Sequence, residues 1–270
     1  MTFDLNAVES GIAGTEFAGR VIHFPAVDST NTLALEAAQA GVRDGVWVAD
    51  EQTAGRGRGG HAWHSTAGDG LYMSALIAPS LPLTTALMIS LATGLAARTA
   101  IAESTGLDVD IRWPNDLLIE GKKCGGILVE TAVAPSGIPE GEAMLRYAVI
   151  GVGINLNHQS FPHAIAPFAT SLRIARGKTV SRESVLIALL RALSNELRLW
   201  QDEVRGSKQS DGLLHRFADA SSWVLGKRVR VEEGGGYTGV TAGLDASGFL
   251  LVDSEDGAKR TVLSGGVREL

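Results

Sequence analysis

Between Gln52 and Trp63 the chain reads Gln-Thr-Ala-Gly-Arg-Gly-Arg-Gly-Gly-His-Ala-Trp, with four glycines and two arginines in the six positions from Gly55 to Gly60. Such a segment offers a core almost no apolar surface and loses much backbone freedom when it becomes ordered. What it can do is bring backbone amides and two guanidinium forks up to an anion. Arginine suits phosphate and carboxylate because its planar fork makes paired, charge-assisted hydrogen bonds. The loop is expected to close over a phosphorylated ligand. Gly55, Gly57 and Gly60 also match the G-x-G-x-x-G spacing of dinucleotide sites. The residues that follow, His61 to Gly70, are polar and glycine-rich with no helical run of apolar positions, so a Rossmann site is not expected. Taken alone, the loop is also compatible with a flexible solvated connection.

Three further clusters carry usable chemistry. Asp28-Ser29-Thr30-Asn31 exceeds what a helix N-cap needs, and the surplus hydroxyl and amide groups suit a small polar head group. Arg112-Trp113-Pro114-Asn115-Asp116 is followed by Gly121-Lys122-Lys123-Cys124-Gly125-Gly126. Pro114 ends a strand and presents Asn115 and Asp116. Asp116 and Lys123 then lie on opposite arms of a short hairpin, where they could share a site, with Lys123 and its glycines forming an anion clamp. An ordinary exposed hairpin is the alternative. In Gly151-Val152-Gly153-Ile154-Asn155-Leu156-Asn157, alternating glycines in an apolar strand mark a close approach, and Asn155 and Asn157 bring amides able to bond a base or ribose. A simple bulge would explain the glycines as packing alone.

The elements that must position these groups follow from pattern. Strands are expected at Val21 to Phe24, Val46 to Ala49, Leu71 to Ile77, Val109 to Trp113, Leu117 to Ile119, Ile127 to Ala132 and Arg146 to Ile154. A helix runs from the Asp28–Asn31 cap to Gln39, where Gly41 stops it. Leu83 to Ala102 is a long apolar stretch with Arg98 as its only charge; Pro82 fits its first turn and Gly106 its end. Its Thr, Ser, Gly and Ala content favours a core helix over a membrane span. Ser181 opens an amphipathic helix towards Val204, and a shorter one lies at Leu213 to Ala220. Pro135 to Gly141 reads as a loop between two strands. Several strand-to-strand steps lack a helix, so the expected class is α+β, with a mixed, largely antiparallel sheet and packed helices. From Trp223 onward, short β-type runs at Arg228 to Val231, Thr238 to Ala242, Phe249 to Val252 and Arg260 to Leu263 suggest a small β-barrel leaning on the main domain. The expected division is residues 1–221 and 222–270.

Composition narrows the partners. With 270 residues and 45% hydrophobic content the chain can bury a full core. Its net charge of −6 makes the basic loop a local device and opposes a nucleic-acid-binding surface. One cysteine, Cys124, excludes an intramolecular disulfide and suits a reducing cytosol. Cys124 reads as a packing residue, and the six histidines form no zinc pattern. No secretory signal is visible at the start, so a cytoplasmic protein is expected.

Together the clusters resemble one family, the biotin protein ligases. The resemblance covers Ser29 to Asn31, Gln52, Gly55 to Trp63, Arg112 to Asp116, Gly121 to Glu130 and Gly151 to Asn155, and extends over roughly residues 20–270. It implies the biotin/lipoate ligase catalytic fold followed by an SH3-like barrel, with ATP, carried with Mg2+, and biotin as substrates. Biotin's carboxylate attacks the α-phosphate to give biotinyl-adenylate, and a lysine of a biotin carboxyl carrier protein then takes the biotinyl group. By resemblance, Ser29, Thr30, Asn31 and Gln52 bind the polar end of biotin, with Arg56, Gly57 and Arg58 as the closing loop and Arg58 holding the adenylate. Lys123 neutralises carboxylate and phosphate, and Asp116 orients the incoming amine. Trp63 covers the ligand or anchors the loop, and Asn115, Gly126 and Asn155 border the nucleotide. His61 stands where relatives often carry arginine. Only 28 residues precede Ser29, which leads to the expectation of a ligase with no DNA-binding domain and no repressor role. The resemblance also admits a homodimer through a sheet edge. The alternatives are a lipoate or octanoate ligase of the same superfamily, or a non-catalytic adenylate-binding module.

Overall fold

The apolar run at Leu71 becomes β3 (Gly70–Ile77), an inner strand of a seven-stranded sheet in the order β1-β2-β3-β7-β6-β5-β4. The computed structural model describes residues 3–79, 81–133, 143–206 and 212–270. The other strands of this sheet are β1 (Val21–Phe24), β2 (Gly45–Ala49), β4 (Asp110–Arg112), β5 (Asp116–Ile119), β6 (Lys122–Val133) and β7 (Leu145–Asn155). Only β1 and β2 pair in parallel; every other ladder is antiparallel, which is the expected mixed, largely antiparallel α+β arrangement. The expected loop at Pro135 to Gly141 lies outside the described residues.

Side chains alternate across these strands, so the sheet has two distinct faces. Leu71, Met73 and Ala75 of β3 and Ile150, Val152 and Ile154 of β7 point into the main core. That core is shared with α1 (Leu5–Gly11), α3 (Ala86–Thr105), α5 (Arg182–Val204) and α6 (Leu213–Ala220). The opposite face meets α2 (Thr30–Gln39) through Ala34, Ala38, Trp47, Leu76, Tyr147 and Val149. α3 is apolar all round because it is enclosed: 67% of its most apolar window is buried within the fold. It stops at Gly106, which takes a left-handed φ of 76°. Pro82 sits ahead of a 3-10 turn (Leu83–Thr85), so α3 begins later than the sequence pattern suggests.

Three short elements had no strong sequence signal: α1, α4 (Leu172–Arg176) and the closing strand of the C-terminal sheet. That second sheet contains β8 (Leu225–Val231), β9 (Tyr237–Leu244), β10 (Leu250–Ser254), β11 (Lys259–Val262) and β12 (Val267–Glu269), antiparallel in the order β11-β10-β9-β8-β12. It leans on the main body as expected. Val229, Val231, Leu250 and Val252 belong to the same core cluster as Trp113 and Met88. Trp113 Nε1 donates to the Gly248 carbonyl at 2.9 Å, and Ser221 Oγ donates to the Ile111 carbonyl at 2.5 Å.

Candidate active site

The chemistry sits on the α2 face of the large sheet. Ser74 pairs with Gly151, which pairs with Leu128; one step along, Tyr72 pairs with Gly153, Gly126 and then Asp116. Glycines in the middle of both rows leave a hollow between the sheet and the start of α2. Gly151 leaves room for Asn31: a Cβ there would fall on Asn31 Oδ1. Gly153 leaves room for Trp63, whose indole lies 2.6 Å from where a Cβ would stand. The alternating glycines therefore record close approach rather than a bulge.

The first end of the hollow is densely hydrogen-bonded, mostly among neutral side chains, with the Glu130 carboxylate behind Asn31. Gln52 Oε1 accepts from the Thr30 amide at 2.9 Å and from Thr30 Oγ1 at 3.2 Å, and Gln52 Nε2 donates to Ser65 Oγ at 3.1 Å. Ser74 Oγ reaches Thr30 Oγ1 at 2.8 Å and Asn31 Oδ1 at 2.5 Å. Asn31 Nδ2 donates to Glu130 Oε2 at 2.8 Å. Ser29 is the N-cap residue of α2, yet its hydroxyl makes no capping bond and instead lines the cavity. Capping thus does not account for it.

The second end is ionic. Asp116, with its side chain 13% exposed, is paired with Lys123 and, at 2.5 Å, with Arg112. Burial works to raise the Asp116 carboxyl, but the charges and hydrogen bonds of Lys123 and Arg112 hold it below the usual carboxylate range. Arg58 reaches Asn115 Oδ1 at 3.3 Å, and Asn115 Nδ2 donates to the Ile127 carbonyl at 3.0 Å. Burial draws the Arg58 guanidinium down from its ordinary value, with Asp116 pulling the other way. A cation desolvated beyond what its partner compensates is suited to receive an anion.

The glycine–arginine loop folds down as a lid. Gly57 N donates to the His61 carbonyl at 2.7 Å and Trp63 N to the Gly55 carbonyl at 2.8 Å, with Arg56 and Ala62 bridged between them. A 3-10 turn at Arg58–Gly60 forms the tip, with Gly59 and Gly60 at φ 64° and 79°. The chain from His61 to Asp69 forms no helix before β3, so the strand–loop–helix arrangement of a dinucleotide site is not formed here. His61 takes part through its carbonyl, so that bond does not depend on its side chain. Under this lid the polar hollow is a cavity of about 50 Å3, room for a water or so, so an organic ligand can enter only with the lid lifted. A far larger cleft of about 1470 Å3 adjoins it, walled on one side by Trp223, Lys227 and Arg268 of the C-terminal region.

Every residue to which the resemblance gives a role lies here. Ser29, Thr30, Asn31, Gln52, Arg56, Gly57, Arg58, Trp63, Asn115, Lys123 and Gly126 line the cavity. Asp116 and Asn155 line the cleft, which shares Gly57, Arg58, Trp63, Asn115 and Lys123 with the cavity. Asn155 Nδ2 is engaged by the Thr170 carbonyl at 3.0 Å. Asn157 is a correction: its amide donates to Val180 O and accepts from Val180 N, so it pins a loop instead of facing a base. Cys124 is fully buried, and burial pushes its thiol up to about 12, which fits packing and not nucleophilic use. Sequence reasoning missed Ser74 and Glu130. The first was visible only as one hydroxyl inside an apolar strand, the second as an acid near the end of another. The C-terminal wall of the cleft left no local signal.

Comparison with known proteins agrees with this geometry. Residues 23–155 match the model of the biotin/lipoate A/B protein ligase family, and residues 224–267 match the biotin protein ligase C-terminal domain. The chain is 34% identical over 258 residues to the bifunctional ligase/repressor BirA of Bacillus spizizenii, covering 91% of this chain and 73% of that one. It is 32% identical over 246 residues to the biotin–[acetyl-CoA-carboxylase] ligase of Mycobacterium tuberculosis, covering 88% and 84%. The biotin protein ligase of Aquifex aeolicus, solved in complex with biotin and ATP, superposes with a TM-score of 0.74 at 29% identity, covering 93% of this chain and all (100%) of that one. Sequence identity over most of both chains, the matching fold and the lidded polar hollow lead to one conclusion: this chain belongs to the biotin protein ligase family.

Proposed function

We propose that this chain joins biotin to Mg·ATP to form biotinyl-5′-adenylate and pyrophosphate, then passes the biotinyl group to a lysine of a biotin carboxyl carrier domain. The observation that carries this reading is the position of Lys123. It borders both the small polar cavity and the large cleft, ion-paired to Asp116 and 5.4 Å from the Trp63 ring centre. A carboxylate reaching out of the cavity and a triphosphate lying in the cleft would meet at Lys123. Two anions must be brought together there, and fixed cations offset their repulsion without reorganising.

In this reading Ser29, Thr30, Asn31 and Gln52 hold the neutral polar end of biotin, and Lys123 with Arg58 neutralises the carboxylate and α-phosphate. A carboxylate oxygen forms the new bond to phosphorus as pyrophosphate leaves. Mg2+ enters as part of the nucleotide, and Asn115, Gly126 and Asn155 border that nucleotide. The lid of Arg56, Gly57 and Arg58, with Trp63 beneath it, keeps water from the mixed anhydride. Asp116, held ionised, accepts from the incoming lysine amine, which attacks the acyl carbon and releases AMP. We place the catalytic unit at residues 1–221 and the C-terminal unit at 222–270. A reducing cytosolic setting without membrane attachment fits this reading, and β1 is an outer strand of the sheet through which a homodimer could form. No repressor role is proposed, given the net charge of −6; retardation of a DNA fragment by the purified chain would contradict that.

The test is exchange of labelled pyrophosphate into ATP with biotin, lipoate or octanoate supplied separately. Exchange with biotin alone is expected. Exchange with lipoate or octanoate and not biotin would assign the neighbouring activity, and none with any acid would leave a binding module.

A further inference from the structure

Glu130 stands outside the groups assigned above, yet one of its oxygens joins the two parts of the site that have to act in sequence. Its Oε2 accepts from Asn31 Nδ2 at 2.8 Å and from Arg56 Nη2 at 3.0 Å. Asn31 belongs to the first turn of α2 at the head-group end, and Arg56 belongs to the lid. The register explains the reach: Glu130 lies on the α2 face of β6, two residues beyond Leu128, opposite Val149. Asn31 is held from its other side by Ser74, and the missing Cβ of Gly151 gives it space. Among the described residues the Arg56 side chain has no other partner, so Glu130 is its anchor on the body of the protein.

We propose that Glu130 is a positioning residue that ties lid closure to the biotin head-group end of the site. The inference rests on the function proposed above. Asn31, fixed by Ser74, in turn fixes the carboxylate that receives Arg56. The lid is thereby anchored to the same end of the site that would hold biotin, and the adenylate is kept until the carrier lysine arrives. Coupling of this kind needs one group with differential contacts in the open and closed states, and a shared acceptor provides it.

Glu130→Gln separates the two contacts. Glutamine keeps an acceptor for Asn31 but removes the charge that holds Arg56, whereas Glu130→Ala removes both. Glu130→Gln is expected to release biotinyl-adenylate about two- to fivefold faster, the range for a part-exposed ion pair, and to raise the KM for biotin by no more than that factor, because the coupling is reciprocal. Glu130→Ala is expected to raise that KM further. Arg56→Ala should release adenylate as fast as Glu130→Gln, and the double variant no faster, because the two changes remove one interaction. Melting temperatures of all variants, measured alongside, identify any misfolded one. Unchanged adenylate retention in a folded Glu130→Gln protein, or additive effects of the two substitutions, would overturn the tie while leaving the ligase reading intact. A wild-type protein that forms no biotinyl-adenylate would remove that reading and the tie with it.

Discussion

Arg58 and Asp116 line the same large cleft with opposite charge, and their environments act on them differently. Arg58 is desolvated with little compensation, so an incoming phosphate completes its surroundings. Replacing it by glycine is expected to leave adenylate formation measurable but loosen its retention. The freed anhydride would then label lysines of bystander proteins, scored by streptavidin blot; unchanged labelling would reject the lid assignment. Asp116 is over-compensated by Lys123 and Arg112, and its folded-state value lies below the ordinary one. Its contribution to stability is thus full above the unfolded value of about 3.9 and is lost as pH falls through the lower folded value. Asp116→Asn leaves two cations unbalanced and should lower stability by about 1–3 kcal/mol near neutrality. In urea titrations that difference should hold from about pH 5 to 8 and shrink below about pH 4. A difference that persists in acid would mean that the charge is not its source.

At the scale of elements, the glycines of β7 shape the hollow. A side chain at Gly151 would collide with Asn31, and the strand cannot give way because both neighbours are hydrogen-bonded to it. Gly151→Ala is expected to cost about 1–3 kcal/mol by overpacking and to raise the KM for biotin. A normal KM in a folded variant would show that Asn31 is not needed in its present position. Most strands and α5 were legible from periodicity, because each buries a face whose period is set by its own geometry, whereas α2 and α3 were legible from their end signals and, for α3, its long apolar run. Weak elements escaped for the same reason. α4 has five residues and β12 three, too few to show a period. Asn157 was misread because asparagine has the same donors and acceptors whether it serves a ligand or a loop.

For the whole molecule, the two sheets share one core and the C-terminal region walls the large cleft. The Trp113 indole joins them, donating across to the Gly248 carbonyl from the residue just before Pro114. Trp113→Phe keeps an aromatic ring but leaves a cavity where the second ring stood and that carbonyl without its donor, at an expected cost of about 2–4 kcal/mol. Because Asn115 and Asp116 follow directly, the KM for ATP should rise along with the loss of stability. Loss of stability with an unaltered KM would confine the contact to packing.

The chemistry was determined by the chain itself. Ser29 to Asn31, the Gly55 to Gly60 loop, Asp116 with Lys123, and Gly151 with Gly153 each carry a local reason for their residue types, and local reasons can be read without coordinates. Only tertiary structure decided which of these groups meet. Glu130, Asn31 and Arg56 come from a strand, a helix and a lid separated by 74 and 99 residues in the two hydrogen-bonded pairs. Ser74 reaches Asn31 across 43. Contacts between such distant residues depend on strand order and register, and on the side chains missing from β7, none of which leaves a periodic trace in sequence.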